Sequence, residues 1–153
     1  MIAIEIAALR RLLFFSTAEA ALLVSGTSTR AWEHWEAGKR KVPDDVAARM
    51  RELCDYRTTI IDAFTARATA SESKSIDGSH NVALLYYGRS EDWPADAILW
   101  RPAQSALAHL HAEYGDLVRL VAFDAGEYFK WLNRRADSQE NRELWALNSV
   151  GPL

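Results

Sequence analysis

Gly26-Thr27-Ser28-Thr29-Arg30-Ala31-Trp32-Glu33-His34-Trp35-Glu36-Ala37-Gly38-Lys39 is the stretch on which the reading of this chain turns. Ser28 suits an N-cap, because its hydroxyl accepts a backbone N–H left free at a helix start. Trp32 and Trp35 are three residues apart and share one helical face. Arg30, Glu33, His34 and Ala37 fall mainly on the opposite face. Gly26 supplies the turn before this helix, and Gly38 ends it at the position where a left-handed backbone is usual. The pattern predicts a helix from Thr29 to about Ala37, with its tryptophans turned inward and its polar side free. Lys39, Arg40 and Lys41 follow as a basic exit loop.

The flanking segments read as helices too. Ile6, Leu9, Leu12 and Leu13 recur at helical spacing within Ile4 to Phe15. Ser16 followed by Glu19 is a capping-box signature, which starts a short second helix over about Thr17 to Val24. That helix is rich in Ala and Leu and is expected to be mostly buried. Beyond the basic loop, Pro43 with Asp44 and Asp45 opens a fourth helix. Its residues Val46, Met50, Leu53, Ile60, Ile61 and Phe64 keep the helical period to about Ala68, as one long helix or two nearly collinear ones.

Residues 69–80 (TASESKSIDGSH) are polar and contain Ser, Asp and Gly together, which predicts a linker or exposed loop. The second half changes character. Val82 to Tyr87 and Leu117 to Phe123 are short apolar runs of strand type. Pro102 to Tyr114 reads as a helix with Leu107, Leu110 and Tyr114 on one face. Asp124 caps a helix to about Arg134, and a last helix runs from Asp137 or Ser138 to Leu147. The two strands are expected to pair either in parallel across a crossover or antiparallel across a dimer.

Composition narrows the function classes. The chain has 153 residues, about half of them apolar, which suffices for one large or two small cores. No apolar run reaches the roughly 18 residues that span a bilayer. Ala18-Glu19-Ala20 resembles a cleavage site, but Glu5, Arg10 and Arg11 interrupt the region before it, against a signal peptide. The single Cys54 excludes an internal disulfide and fits a reducing, cytoplasmic setting; it falls in a helical apolar stripe. Net charge is −3, with ten basic and nine acidic residues in 1–68 but eight and twelve in 69–153. The positive charge is therefore local, which is what a nucleic-acid surface requires. His109 and His111 are two apart on a helix and face different sides, so no metal site is expected. No Gly-rich phosphate loop or nucleophile elbow occurs, and no enzyme or cofactor is expected.

Residues 9 to about 55 resemble the helix-turn-helix of lambda-repressor-like (XRE/Cro-type) regulators, most specifically in Trp35-Glu36-Ala37-Gly38-Lys39 followed by Pro43. Two positions depart from that pattern. Ala18 stands where a phosphate-contacting Gln is common, and Ala21 needs one extra residue in the turn to align with the family's small residue. The long fourth helix and Trp100-Arg101-Pro102-Ala103-Gln104-Ser105 extend the likeness, over most of the chain, to the YdiL-like family. That family includes anti-CRISPR-associated autorepressors of phages and mobile elements.

The resemblance implies an α+β protein: an all-α helix-turn-helix domain over 1–68, the linker or loop at 69–80, and a small α+β dimerisation domain over 81–153. It implies a homodimeric repressor that binds double-stranded DNA at a palindromic operator, often in its own promoter. Thr29 and Arg30 would then meet base edges, with Glu33 and His34 one turn on. Thr17 and Ser28 would approach phosphates, as would Lys39, Arg40 and Lys41. Glu36 would form a structural ion pair with a first-helix arginine, Arg11 or else Arg10. Trp100, Arg101 and Gln104 would line a small pocket or the dimer seam, with Arg101 packed against an acidic neighbour by default. The rival readings are an antitoxin-like or protein-interaction module, and an RNA-binding regulator using the same basic surface.

Overall fold

A computed structural model describes residues 1–72 and 82–149. The protein is α+β and divides into two compact units, one of residues 1–62 with 95–106, the other of 63–94 with 107–153. The boundaries fall inside two helices, and 95–106 sits with the first unit although it follows the first strand in sequence.

The first unit is helical. Helix α1 (Ala3–Leu12) ends at Phe14, whose left-handed φ of 63° lets the Phe15 N–H reach back to the Arg10 carbonyl. No glycine marks this end, and the helix stops short of the expected Phe15. Leu12 is exposed, while Ile6 and Leu13 are fully buried. Helix α2 (Thr17–Glu19) has the expected capping box, with Ser16 Oγ accepting from the Glu19 N–H and Glu19 Oε2 accepting from the Ser16 N–H.

It continues as a π-turn over Ala20–Val24. A π-turn holds one more residue than an α-turn, which accommodates the extra residue needed to align Ala21. Ala20 and Ala21 are buried, but Leu22 is exposed, so this helix is less buried than its composition suggests. Gly26 takes φ +60° in the turn that follows.

Helix α3 (Thr29–Glu36) is capped by Ser28 Oγ, which accepts from the Ala31 N–H. Gly38, at φ +69°, closes it by donating to the Trp35 carbonyl, while Lys39 donates to that of His34. Helix α4 (Asp44–Glu72) is one unbroken helix. Residues 69–72 therefore belong to it rather than to a linker, because no helix breaker lies in Thr69-Ala70-Ser71-Glu72. The remainder of that expected linker, 73–80, lies outside the described residues, as does 150–153. Val46, Ala47, Met50 and Leu53 of α4 pack with Ile6, Leu13, Trp32 and Trp35 into one core, joined by Ile98 from the second half of the sequence.

Strands β1 (Val82–Tyr86) and β2 (Val118–Ala122) pair in parallel, with Val82 opposite Val118 and Tyr86 opposite Ala122. Helix α5 (Ala97–Tyr114) connects them and begins five residues before the expected Pro102. Asp96 starts it, accepting from the Ile98 N–H. Pro102 lies inside the helix and removes one backbone hydrogen bond there. Helix α6 (Ala125–Leu132) is capped by Asp124 Oδ1, and α7 (Gln139–Ser149) packs on β1.

The second unit's core is aromatic. Phe123 lies 4.9 Å from Tyr87, 5.3 Å from Tyr128 and 5.7 Å from Trp145, centroid to centroid. Arg142 is buried among them, 4.9 Å above the Phe123 ring. Its Nε and Nη2 donate to the two oxygens of Asp137, and Nη1 to Tyr87 Oη and the Asp92 carbonyl. Among the described residues no helix is long and apolar enough to cross a membrane.

Candidate nucleic-acid interface

The candidate surface is built around α3. Its two tryptophans hold it down: Trp32 is fully buried, Trp35 nearly so, and their rings meet edge to face at 5.6 Å. With that face fixed, helical geometry sends Thr29, Arg30 and Glu33 outward, and all three are exposed. His34 is half-buried at the edge of this face. Ser28, Lys39, Arg40 and Lys41 are exposed at the two ends of the helix, and Thr17 is half-buried at the start of α2. Lys41 Nζ lies 3.3 Å from the Asp44 carboxylate, an exposed pair that holds it only weakly. The structure thus groups Ser28, Thr29, Arg30, Glu33 and His34 on one short helix.

A polar cluster sets the angle of this helix. Glu36 accepts from Arg10 Nε at 2.5 Å and Nη2 at 3.1 Å, and from the Trp32 indole N–H at 2.7 Å. Arg10 Nη1 donates to the Phe15 carbonyl, so the same guanidinium closes the end of α1. The ion-pair partner is therefore Arg10, not the expected Arg11. Neighbouring residues on a helix are turned by about 100°, and it is the exposed side that Arg11 occupies. Burial alone would raise the Glu36 pKa. The hydrogen bonds from Arg10 and Trp32, with the charges of Arg10 and Arg11, overcome that and hold it below the usual range.

A second tie was missed by the sequence reading. Glu19 Oε1 accepts from Arg101 Nε at 2.8 Å and lies 2.7 Å from Arg101 Nη2. Arg101 does pack against an acidic neighbour, but one 82 positions earlier, within the first unit. Burial pushes the Glu19 carboxyl up, while the Arg101 hydrogen bond, the Ser16 bonds and the Arg101 charge bring it below its ordinary pKa. Nearby, Ser105 Oγ donates to the Leu12 carbonyl and accepts from Arg57 Nε at 2.9 Å. Only the Asp96 cap could have announced these contacts, by starting α5 early enough to bring Ile98 and Arg101 into the helix.

Among the described residues, no group of three or more His, Cys, Asp or Glu could hold a metal ion. His111 Nδ1 lies 2.7 Å from the Val118 carbonyl, and Cys54 is half-buried with its thiol pushed up by burial. Neither residue is placed to take part in this surface.

The profile of Aca2/YdiL-like proteins matches residues 1–119. The match ends inside β2, so α6 and α7 lie beyond it. The Aca2 repressor of Pectobacterium phage ZF40 is 32% identical over 120 residues, an alignment covering 74% of this chain and 97% of that protein. On both grounds, and with a Ser28-capped helix seated on two tryptophans at its centre, this chain belongs to the Aca2/YdiL-like family.

Proposed function

We propose that this chain is a sequence-specific DNA-binding transcriptional repressor, and an autorepressor, that binds an inverted repeat in a promoter as a homodimer. The observation that carries this reading is the exposure of Thr29, Arg30 and Glu33 on the face of α3 opposite two buried tryptophans. The name of the phage relative, a repressor, supports the regulatory role. Helix α3 lies in the major groove with its N-terminal residues against base edges. Arg30 donates to guanine O6 and N7, and Glu33 accepts from a cytosine amino group. His34 reaches a base or a phosphate. Ser28, Thr17, Lys39, Arg40 and Lys41 meet phosphates, which fix the register without reading sequence.

The second half supplies the dimer contact, so two copies of α3 meet half-sites about one helical turn apart or a small multiple. Repression follows from covering the promoter.

Gel shifts with the DNA upstream of the chain's own gene, at several salt concentrations, test this reading. Binding specific to an inverted repeat and weakening steeply with salt is expected. Arg30→Ala should weaken it by about 5- to 100-fold and relax the preference at one base pair, equivalent to about 1–3 kcal/mol. An Arg30→Ala protein that binds as tightly as the parent would remove α3 from the role of recognition helix. Light scattering checks the dimer separately.

A further inference from the structure

We propose that Arg101 is a positioning residue for DNA binding: it holds the start of the helix-turn-helix in place through Glu19, so that operator affinity depends on this ion pair. The inference rests on the DNA-binding reading of α2 and α3.

Helix α2 has little to orient it. Three α-helical residues and one π-turn make too few backbone hydrogen bonds to be stable alone. Its capping box uses only Glu19 Oε2. The other oxygen, Oε1, is taken by Arg101. The guanidinium is itself restrained before it meets Glu19. Nη1 donates to Oε1 of the buried Gln104 at 2.9 Å, and its plane lies 4.1 Å from the Trp100 ring centroid.

Both partners keep only about a quarter of their side-chain surface in water, 29% for Arg101 and 25% for Glu19. The pair is therefore screened less than a surface pair. The next turn of α5 carries Ser105, which bonds the end of α1 and Arg57 of α4. Residues 95–106 are thus wired to α1, α2 and α4 of the same unit.

Helix α3 has its own tie in Arg10, Glu36 and Trp32. Loss of Arg101 should therefore disturb α2 and its Thr17 end while leaving base reading by Arg30 intact. This gives a pattern that simple destabilisation does not. In a duplex selected from a randomised library by the parent protein, Arg101→Met should raise Kd about tenfold. The slope of log Kd against log salt should become shallower by about one unit, for one lost phosphate contact. The ratio of Kd values between the selected duplex and one altered at the Arg30 base pair should not change.

Glu19→Gln is the sharper variant. Glutamine can keep the capping box, and removing a negative charge beside DNA should by itself tighten binding. Positioning predicts the opposite sign: about threefold weaker binding, with the shallower salt slope. The double variant should bind no more weakly than Arg101→Met alone.

Kd unchanged or lowered in Glu19→Gln would overturn the proposal. So would a weaker Arg101→Met complex with an unaltered salt slope. If Arg101→Met does not fold, as judged by circular dichroism, Glu19→Gln decides alone. A parent protein that selects no duplex would instead sink the DNA-binding reading itself, and Arg30→Ala separates the two failures.

Discussion

In the first unit the arginines Arg10 and Arg101 stand at the margin of a core of aliphatic side chains and two tryptophans, and each joins helices that are distant in sequence. In the second unit Arg142 is nearly buried within the core, ringed by Phe123, Tyr128 and Tyr87. Marginal pairs leave the core apolar and fix the angles between helices, which is what a rigid reading surface requires. A central arginine does something different. It satisfies Asp137, Tyr87 and the Asp92 carbonyl at once, and so locks α7 to the loop after β1. The family match covers the first arrangement but stops short of α6 and α7, which complete the second.

The largest effect should come from the central arginine. Arg142→Met keeps apolar volume but leaves the Asp137 carboxylate and the Asp92 carbonyl without their donor. Breaking a buried ion pair costs about 3 kcal/mol. Hydrogen exchange should show the loss in β1, β2 and α7, with α3 amides little changed. Equal loss of protection in α3 would break the comparison, because the two units would then be unfolding as one.

A smaller effect is expected at the margin of the first unit. Arg10→Met removes three hydrogen bonds, two of them to a carboxylate, and should cost about 2 kcal/mol. Arg11→Met, at an exposed position, should stay within about 0.5 kcal/mol of the parent. Urea denaturation of the two variants measures the difference directly. Equal losses would contradict the assignment of Arg10 as the Glu36 partner.

These two arginines also show where sequence reading stops. Ser16 with Glu19, Ser28, Gly26, Gly38 and the Trp32–Trp35 pair were legible because each acts within a few residues of itself. The choice between Arg10 and Arg11 depends on how α1 is rotated, which is set by packing against α3. The Arg101–Glu19 pair depends on tertiary folding across most of the chain and leaves no local mark. Helix α5 was misjudged for another reason. Pro102 was taken as a helix start, although Asp96 was the better cap, and the early turn between them carries Ile98 into the first core. The parallel pairing of β1 and β2 was one of two open choices. Short apolar strands carry no directional signal, and only the α5 crossover decides it.

The smallest expected effect concerns acid. The Arg142 hydrogen bonds hold the Asp137 carboxyl at about 2, down from its ordinary 3.8, against the opposing effect of burial and with help from the Tyr128 hydroxyl. A depressed carboxylate stabilises the folded state above its unfolded pKa, and that contribution is lost as pH falls through the folded value. The loss therefore begins near pH 3.8 and is complete below about 2. Asp137 keeps 38% of its side-chain surface in water, so after allowance for screening the contribution is about 1 kcal/mol. Glu19 and Glu36 are depressed as well, but from a higher ordinary value of 4.5, so the first unit should begin to weaken earlier on acidification. Urea midpoints measured from pH 5 downward, read by hydrogen exchange at α3 and at α7, should separate the two. Asp137→Asn should flatten the α7 profile between pH 3.8 and 2 and leave that of α3 unchanged. A profile that stays steep at α7 in this variant would mean that other carboxylates govern acid loss in the second unit, and the central arginine would then stabilise it mainly through its contacts with the aromatic rings.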